Sequence, residues 1–292
     1  MNSPGPLDGR VAVVTGATSG IGREVATGLA RLGATTVVVG RGEGRASAVA
    51  RAIAADGNRS VDALRVDDLG KLEETRGLAA ALLDKYPAIH VLVNNAGGYF
   101  HRREETPDGF ERTFALNVLS PFLLTALLFP RLRASAPSRV VNVASEAHAG
   151  AHVDFEDLQS SGKYRGMRTY GRSKLELVWL TREFARRWQG TGVSVNAVHP
   201  GFVRSGFGLN NGGGTAFGMR IAMALFARSV RRGADTPLFV ASSPTLASVS
   251  GEYFADRQAR PGSNESRDME KARQFFDQCS RLTGVEGLFA KG

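Results

Sequence analysis

Tyr170 and Lys174 stand four residues apart in Tyr170-Gly171-Arg172-Ser173-Lys174, a spacing that puts both on one face of a helix. A phenol titrates near ~10 in water, too high for efficient proton exchange at neutral pH. An ammonium one turn away favours the phenolate, so the pair is suited to trading a proton with an alkoxide. Ser145, at the end of an apolar run, offers a hydroxyl to a substrate oxygen. Asn117, in a long apolar helix, can hold a water that relays protons to Lys174. A bare Y-x-x-x-K is common on helix surfaces, so the assignment depends on what accompanies it.

The companion is Thr15-Gly16-Ala17-Thr18-Ser19-Gly20-Ile21-Gly22, directly after an apolar strand and before a helix. Glycines at 16, 20 and 22 leave the backbone bare, so a pyrophosphate can approach unpaired N–H groups and the positive end of the helix dipole. Thr18, Ser19 and Ile21 fall in the same loop. The G-x-x-x-G-x-G spacing differs from the usual dinucleotide fingerprint, and the competing reading is a tight turn that binds nothing. The second strand ends Val39-Gly40-Arg41. An arginine there suits a ribose 2′-phosphate, which favours NADP(H) with NAD(H) as the alternative; the bland reading is a solvated arginine. Asp68 and Leu69 follow the third strand, where a carboxylate either accepts from the adenine amino group or caps the next helix. Asn95, Ala96 and Gly97 end the fourth strand, at the carboxyl edge where ligands bind in open α/β sheets.

These positions need a scaffold, and the pattern supplies a βαβ rhythm. Strands are expected at 11–14, 35–39, 61–66, 91–94, 140–144 and 193–198, with a seventh at 250–254. Helices are expected at 21–32, 46–55, 72–83, 110–132, 170–188, 216–232 and 267–282. No linker, repeat or low-complexity tract interrupts the chain, so one domain over 1–292 is expected.

The chain has 292 residues, 42% hydrophobic and 22% charged, which fits a globular protein with a sizeable core. Cys279 is the only cysteine, so no internal disulfide forms, and no Cys/His cluster has zinc-site spacing; metal is expected to play no part. Neither long apolar stretch reaches the roughly 20 residues of a spanning helix, because Pro121 and Pro130 interrupt one and Arg220 the other. With no basic-then-apolar leader, a cytoplasmic protein without an integral membrane segment is expected. The net charge of +9 is carried by scattered arginines without a nucleic-acid motif, so nucleic acid is not an expected partner.

Taken together, the chain resembles the short-chain dehydrogenase/reductase family over about 7–284. The resemblance rests on residues 15–22, Asn94-Asn95-Ala96-Gly97, Asn117, Ser145, Tyr170/Lys174 and His199-Pro200-Gly201. It implies a Rossmann-type doubly wound parallel seven-stranded sheet in the order 3-2-1-4-5-6-7. It also implies an Asn117-Ser145-Tyr170-Lys174 tetrad, and Pro200, Gly201 and Val203 near the nicotinamide. Tyr170 and Lys174 would also contact the cofactor. Residues 142–148, 155–158, 250–256 and 282–284 look like the retinol-dehydrogenase-like branch, which commonly uses NADP(H) on hydrophobic alcohols and aldehydes. Ala144 stands where that branch commonly has serine, and the N-terminal membrane anchor of some relatives is not expected here. The family commonly forms dimers or tetramers, so a homo-oligomer is expected.

Residues 205–232 are expected to form a substrate lid, with 257–292 a C-terminal extension. Phe202, Phe207, Phe217, Met219, Met223, Leu225 and Phe226 would line the lid for an apolar substrate or, equally, pack on the core or a partner subunit. Arg228, Arg231 and Arg232 leave peripheral contact with an anionic surface open. His148 and His199 read as structural. The expected function is NADP(H)-dependent interconversion of a hydrophobic alcohol and its aldehyde or ketone, with Tyr170 as acid/base. The alternative is a cofactor-binding sensor or scaffold with little turnover. A sugar-nucleotide epimerase or dehydratase is disfavoured by the glycine spacing and by the want of a large C-terminal domain.

Overall fold

The computed structural model describes residues 5–42, 44–56, 60–203 and 229–289. Among these, short valine-rich strands alternate with helices: β1 (Val11–Thr15), β2 (Thr35–Gly40), β3 (Val61–Arg65), β4 (Val91–Asn94), β5 (Ser138–Val143), β6 (Val193–His199), β7 (Tyr253–Ala255) and β8 (Gln258–Arg260). The β1 and β4 sequences are almost unbroken apolar runs, and their burial on both sides is what a sheet sandwiched between helix layers requires. The sheet order is β3-β2-β1-β4-β5-β6-β7-β8. Strands β1 to β7 are parallel, as expected.

The sheet has eight strands where seven were expected. β8 pairs antiparallel with β7, with Ala255 opposite Gln258. Asp256 and Arg257 between them have φ of 50° and 61°, the left-handed pair that a tight hairpin of matching twist needs. Because neither is glycine, no ordinary turn signal marks the hairpin in the sequence.

Helices α1 (Gly20–Arg31) and α2 (Arg45–Ala55) pack on one sheet face, with the short α6 (Val230–Gly233) and α7 (Asp235–Ser242) alongside. Helices α3 (Leu72–Lys85), α4 (Arg112–Ala134), α5 (Gly166–Arg187) and α8 (Met269–Thr283) pack on the other. At 23 residues α4 outgrows the apolar stretch read from the sequence and is long and apolar enough to cross a membrane. However, 78% of its most apolar window is buried inside the fold. Pro121 lies directly after the π-turn at Ala115–Leu119, where the winding is already irregular. Most of the expected lid and its helix, 204–228, lies outside the described residues. The remainder begins at Ser229, whose hydroxyl caps α6 by accepting from Arg232 N–H at 3.2 Å.

Candidate active site

Strand order reverses between β1 and β4, and the loops leaving their carboxyl ends meet there. Thr15 Oγ1 accepts from the N–H groups of Asn95 (3.1 Å) and Ala96 (3.0 Å). Asn95 Nδ2 donates back to the carbonyls of Thr15 (2.9 Å) and Gly16 (3.3 Å). The two loops are therefore one hydrogen-bonded unit. Gly16 has φ +65°, and a Cβ on it would stand 2.9 Å from Ala96 Cα. A Cβ on Gly22 would strike Asn95 Nδ2 and come within 2.6 Å of the Gly16 carbonyl. Ser19 precedes α1 in extended conformation and makes no side-chain cap, so the Gly20, Ile21 and Gly22 end of the helix dipole is left for an anion. Thr18 lies over Gly40, where a Cβ would strike its methyl. These bare glycines and the uncapped helix end fit a dinucleotide pyrophosphate.

Arg41 is exposed just past the end of β2. Asp68 accepts from Gly70 N–H at 2.9 Å and pairs with Arg112 at 3.3 Å. It does not cap the following helix: the N–H of Leu72 is taken by Asp108 at 2.9 Å, a residue distant in sequence. Leu69 is buried, its carbonyl accepting from Thr75 at 3.2 Å. Gly201, at φ +84°, follows Pro200, and Val203 is buried against Gly233.

Lys174 and Tyr170 lie on α5, Ser145 just past β5, and Asn117 on α4 within a π-turn at Ala115–Leu119. Such a wide turn recurs at functional positions. Asn117 Oδ1 accepts from Gly98 N–H at 2.8 Å, and its Nδ2 donates to the Gly98 carbonyl (2.9 Å) and Ser173 Oγ (3.0 Å). Ser173 in turn donates to the Tyr170 carbonyl at 2.7 Å, a link the sequence reading passed over. Lys174 Nζ donates to the Val143 carbonyl at 2.9 Å. A Cβ on Gly97 would lie 3.1 Å from Asn117 Oδ1 and 3.5 Å from Lys174 Nζ, so this glycine opens the space that both atoms face. Ser145 lies within hydrogen-bonding reach of the Tyr170 phenol, a contact that lowers its pKa. All four expected catalytic positions therefore meet at the sheet's carboxyl rim.

One expectation is reversed in the free protein. Burial, not Lys174, dominates the phenol and pushes it up to about 12, while burial brings the Lys174 ammonium down to about 8. The ammonium is turned to the Val143 carbonyl and sits 5.6 Å from the Tyr170 ring centroid. Tyr99 is a further residue the sequence reading missed: its ring meets that of Tyr170 edge-on, at 6.4 Å and 87°. Only its place right after the Asn-Asn-Ala-Gly-Gly run could have drawn attention to it. Met167 and Phe202 expose about half their surface close in sequence to Tyr170 and Gly201 (49% and 48%). The two histidines read as structural both bond nearby backbone. His148 Nδ1 bonds the Ser145 carbonyl at 2.8 Å, and His199 Nδ1 accepts from Glu146 N–H at 3.2 Å.

Residues 10–216 match the short chain dehydrogenase family model. Human retinol dehydrogenase 13 is 37% identical, the alignment covering 97% of this chain and 87% of that protein. A putative daunorubicin C-13 ketoreductase of Streptomyces sp. (strain C5) is 37% identical, covering 96% and 94%. Among solved structures, a putative NAD(P) dependent gluconate 5-dehydrogenase from Beutenbergia cavernae with bound NADP superposes with a TM-score of 0.69 at 31% identity, covering 87% and 97%. With the glycine cradle and the four residues around Gly97 in place, the chain belongs to the short-chain dehydrogenase family of NAD(P)-dependent oxidoreductases.

Proposed function

We propose that this protein reduces a hydrophobic aldehyde or ketone, and oxidises the matching alcohol, with NADP(H) as cofactor. The observation that carries the reading is the convergence of Asn117, Ser145, Tyr170 and Lys174 on one buried corner beside Gly97. Bound NADP(H) would supply or accept the hydride. Gly16, Thr18, Ser19, Gly20, Ile21 and Gly22 would hold its pyrophosphate, and Asn95, Ala96 and Gly97 would flank it. Arg41 would take the 2′-phosphate, Asp68 and Leu69 the adenine, and Pro200, Gly201 and Val203 the carboxamide end. The printed names of a retinol dehydrogenase, a ketoreductase and an NADP complex agree with this reading. Exposed Met167 and Phe202 favour an apolar substrate.

The side chains divide the chemistry. Ser145 donates a hydrogen bond to the substrate oxygen and fixes it beside the phenol. Tyr170 is a protonated acid at neutral pH, since burial pushes it up to about 12, so it delivers its proton to the developing alkoxide. Lys174, brought down to about 8, holds its position through Val143 and stabilises the phenolate left behind. Asn117, clamped to both backbone groups of Gly98, keeps the proton exit open toward Lys174.

Purified protein with NADPH and a panel of apolar aldehydes and ketones should consume reduced nicotinamide. Tyr170→Phe should lower turnover by about 10²–10⁴ with NADPH affinity unchanged; unchanged turnover would defeat the assignment. Reduction should stay level across neutral pH and decline only on the alkaline side, whereas oxidation should climb with pH. Arg41→Ala should erase the preference for NADPH over NADH, and an intact preference would remove Arg41 from its role.

A further inference from the structure

Two charged side chains on α5 take no part in that chemistry, yet both are buried. Glu176 is fully enclosed, and neither of its carboxylate oxygens has a hydrogen-bond partner among the described residues. Its Oε1 stands 3.3 Å from Nε of Arg172, one turn earlier. The two remaining guanidinium nitrogens of Arg172 reach across to the segment that joins Ser145 to α5. Nη1 donates to the Asp157 carbonyl at 3.0 Å and Nη2 to the Leu158 carbonyl at 2.6 Å.

The next residue ties the same segment elsewhere. Gln159 accepts at its carbonyl from Arg103 Nε (3.2 Å) and at its side-chain oxygen from Glu111 N–H (2.7 Å). Glu111 caps α4, the helix of Asn117, by accepting from the N–H groups of Thr113 (2.7 Å) and Phe114 (2.8 Å). Residues 157–159 therefore bridge the two helices that carry Asn117 and Tyr170. Further along, Tyr164 donates to the Phe100 carbonyl at 2.9 Å, next to the Tyr99 ring that meets Tyr170.

We infer that Arg172 and Glu176 are positioning residues: the guanidinium clamps 157–158 in place, and the carboxylate supplies the charge that lets a guanidinium sit buried there. The fork geometry explains why arginine occupies 172, since an ammonium cannot hold two adjacent carbonyls along one plane. The buried pair explains the otherwise uncompensated Glu176. Glu176 also faces Glu111 of α4 and Cys279 of α8, and neither compensates its charge. The clamp fixes the segment between Ser145 and α5, which ties the helices of Asn117 and Tyr170, and does not touch the cofactor cradle. It rests on the function proposed above only for its kinetic readout.

The test compares Glu176→Gln, Arg172→Lys and the double variant Arg172→Met/Glu176→Leu in the full chain. The double variant removes both buried charges, so it tests the clamp even where a single change fails to fold. Measured above pH 7, where the Glu176 carboxyl is ionised, amide hydrogen exchange over 157–162 should rise by roughly tenfold in each variant that folds, with exchange in α1 unchanged. For an apolar aldehyde KM should rise about fivefold or more, while kcat and the NADPH dissociation constant stay within about twofold. Wild-type exchange over 157–162 in the double variant would overturn the clamp, as would a loss of kcat with KM unchanged. Absence of turnover in the wild type would defeat the functional reading alone, because the exchange comparison decides the clamp without it.

Discussion

Beneath α1, α2 and α7 the sheet is covered by small side chains, among them Ala12, Ala26, Ala30, Ala46, Ala50 and Ala241 with valines between. Beneath α3, α4, α5 and α8 it is covered by rings: Phe114, Phe122, Trp179, Phe184, Trp188, Phe275 and Phe276. Phe276 meets Phe122 at 5.0 Å and Phe184 at 4.8 Å between centroids. The first face is shaped by removing atoms so that a backbone cradle can close tightly, and Gly22 shows how little room is left. The second face holds the helices that carry Asn117 and Tyr170 and the buried charges Glu111, Glu176 and Glu183 in a thick aromatic layer to which α8 contributes Phe275 and Phe276. The glycine-rich loop and the helices that carry Asn117, Tyr170 and Lys174 are thus backed by opposite faces of one sheet, built from different materials.

That contrast can be broken at its strongest point with Phe276→Ala, which should cost about 3–5 kcal/mol in chemical denaturation. It should leave NADPH affinity per folded molecule unchanged. Next in size is a pH effect confined to the aromatic side. Burial raises the Glu176 carboxyl from its ordinary 4.5 to about 7 against the pull of Arg172, with Glu111 adding to the rise. The folded protein therefore binds more protons than the unfolded chain between those values. The associated stability is fully present below about 4.5 and is lost as pH rises through about 7. Unfolding free energies across that window should show Glu176→Gln lacking this slope, a difference on the order of 3 kcal/mol.

On the aliphatic side two alanine substitutions in the same helix should differ. Gly22→Ala drives a Cβ into Asn95 and the Gly16 carbonyl, so about 1–3 kcal/mol of stability and at least roughly tenfold in NADPH affinity should be lost. Gly28→Ala meets only the flexible end of Leu238, so thermal unfolding should register under about 1 kcal/mol and binding should not change. Equal effects at 22 and 28 would show that the cradle is not built on close backbone approach.

The aliphatic side was also the more readable from residues alone. Its requirements are local: a strand, glycines at fixed offsets and a helix start leave a pattern along the chain. Tyr170, Lys174, Ser145 and Asn117 were legible as types at topological positions, but the direction of the phenol's pKa was not, because burial arises from elements far away in sequence. Arg172 and Glu176 sit in and beside the motif singled out for chemistry, yet their partners at 157, 158 and 111 come from other segments. The Asp108 cap of α3 and the Asp256–Arg257 hairpin left no signal, one because its partner is remote, the other because left-handed backbone is held there without glycine.

The wide turn around Asn117 has a further consequence for how this helix tolerates change in length. A π-turn is an α-helix with one residue too many, so everything after it is rotated by about 100° relative to a regular continuation. Deleting a single residue within 115–119 would remove the surplus residue of the turn. The same deletion would swing the amide of residue 117 off the Gly98 backbone to which it is bonded. In this segment an easier helix and a working enzyme are alternatives, and the surplus residue records which one was kept.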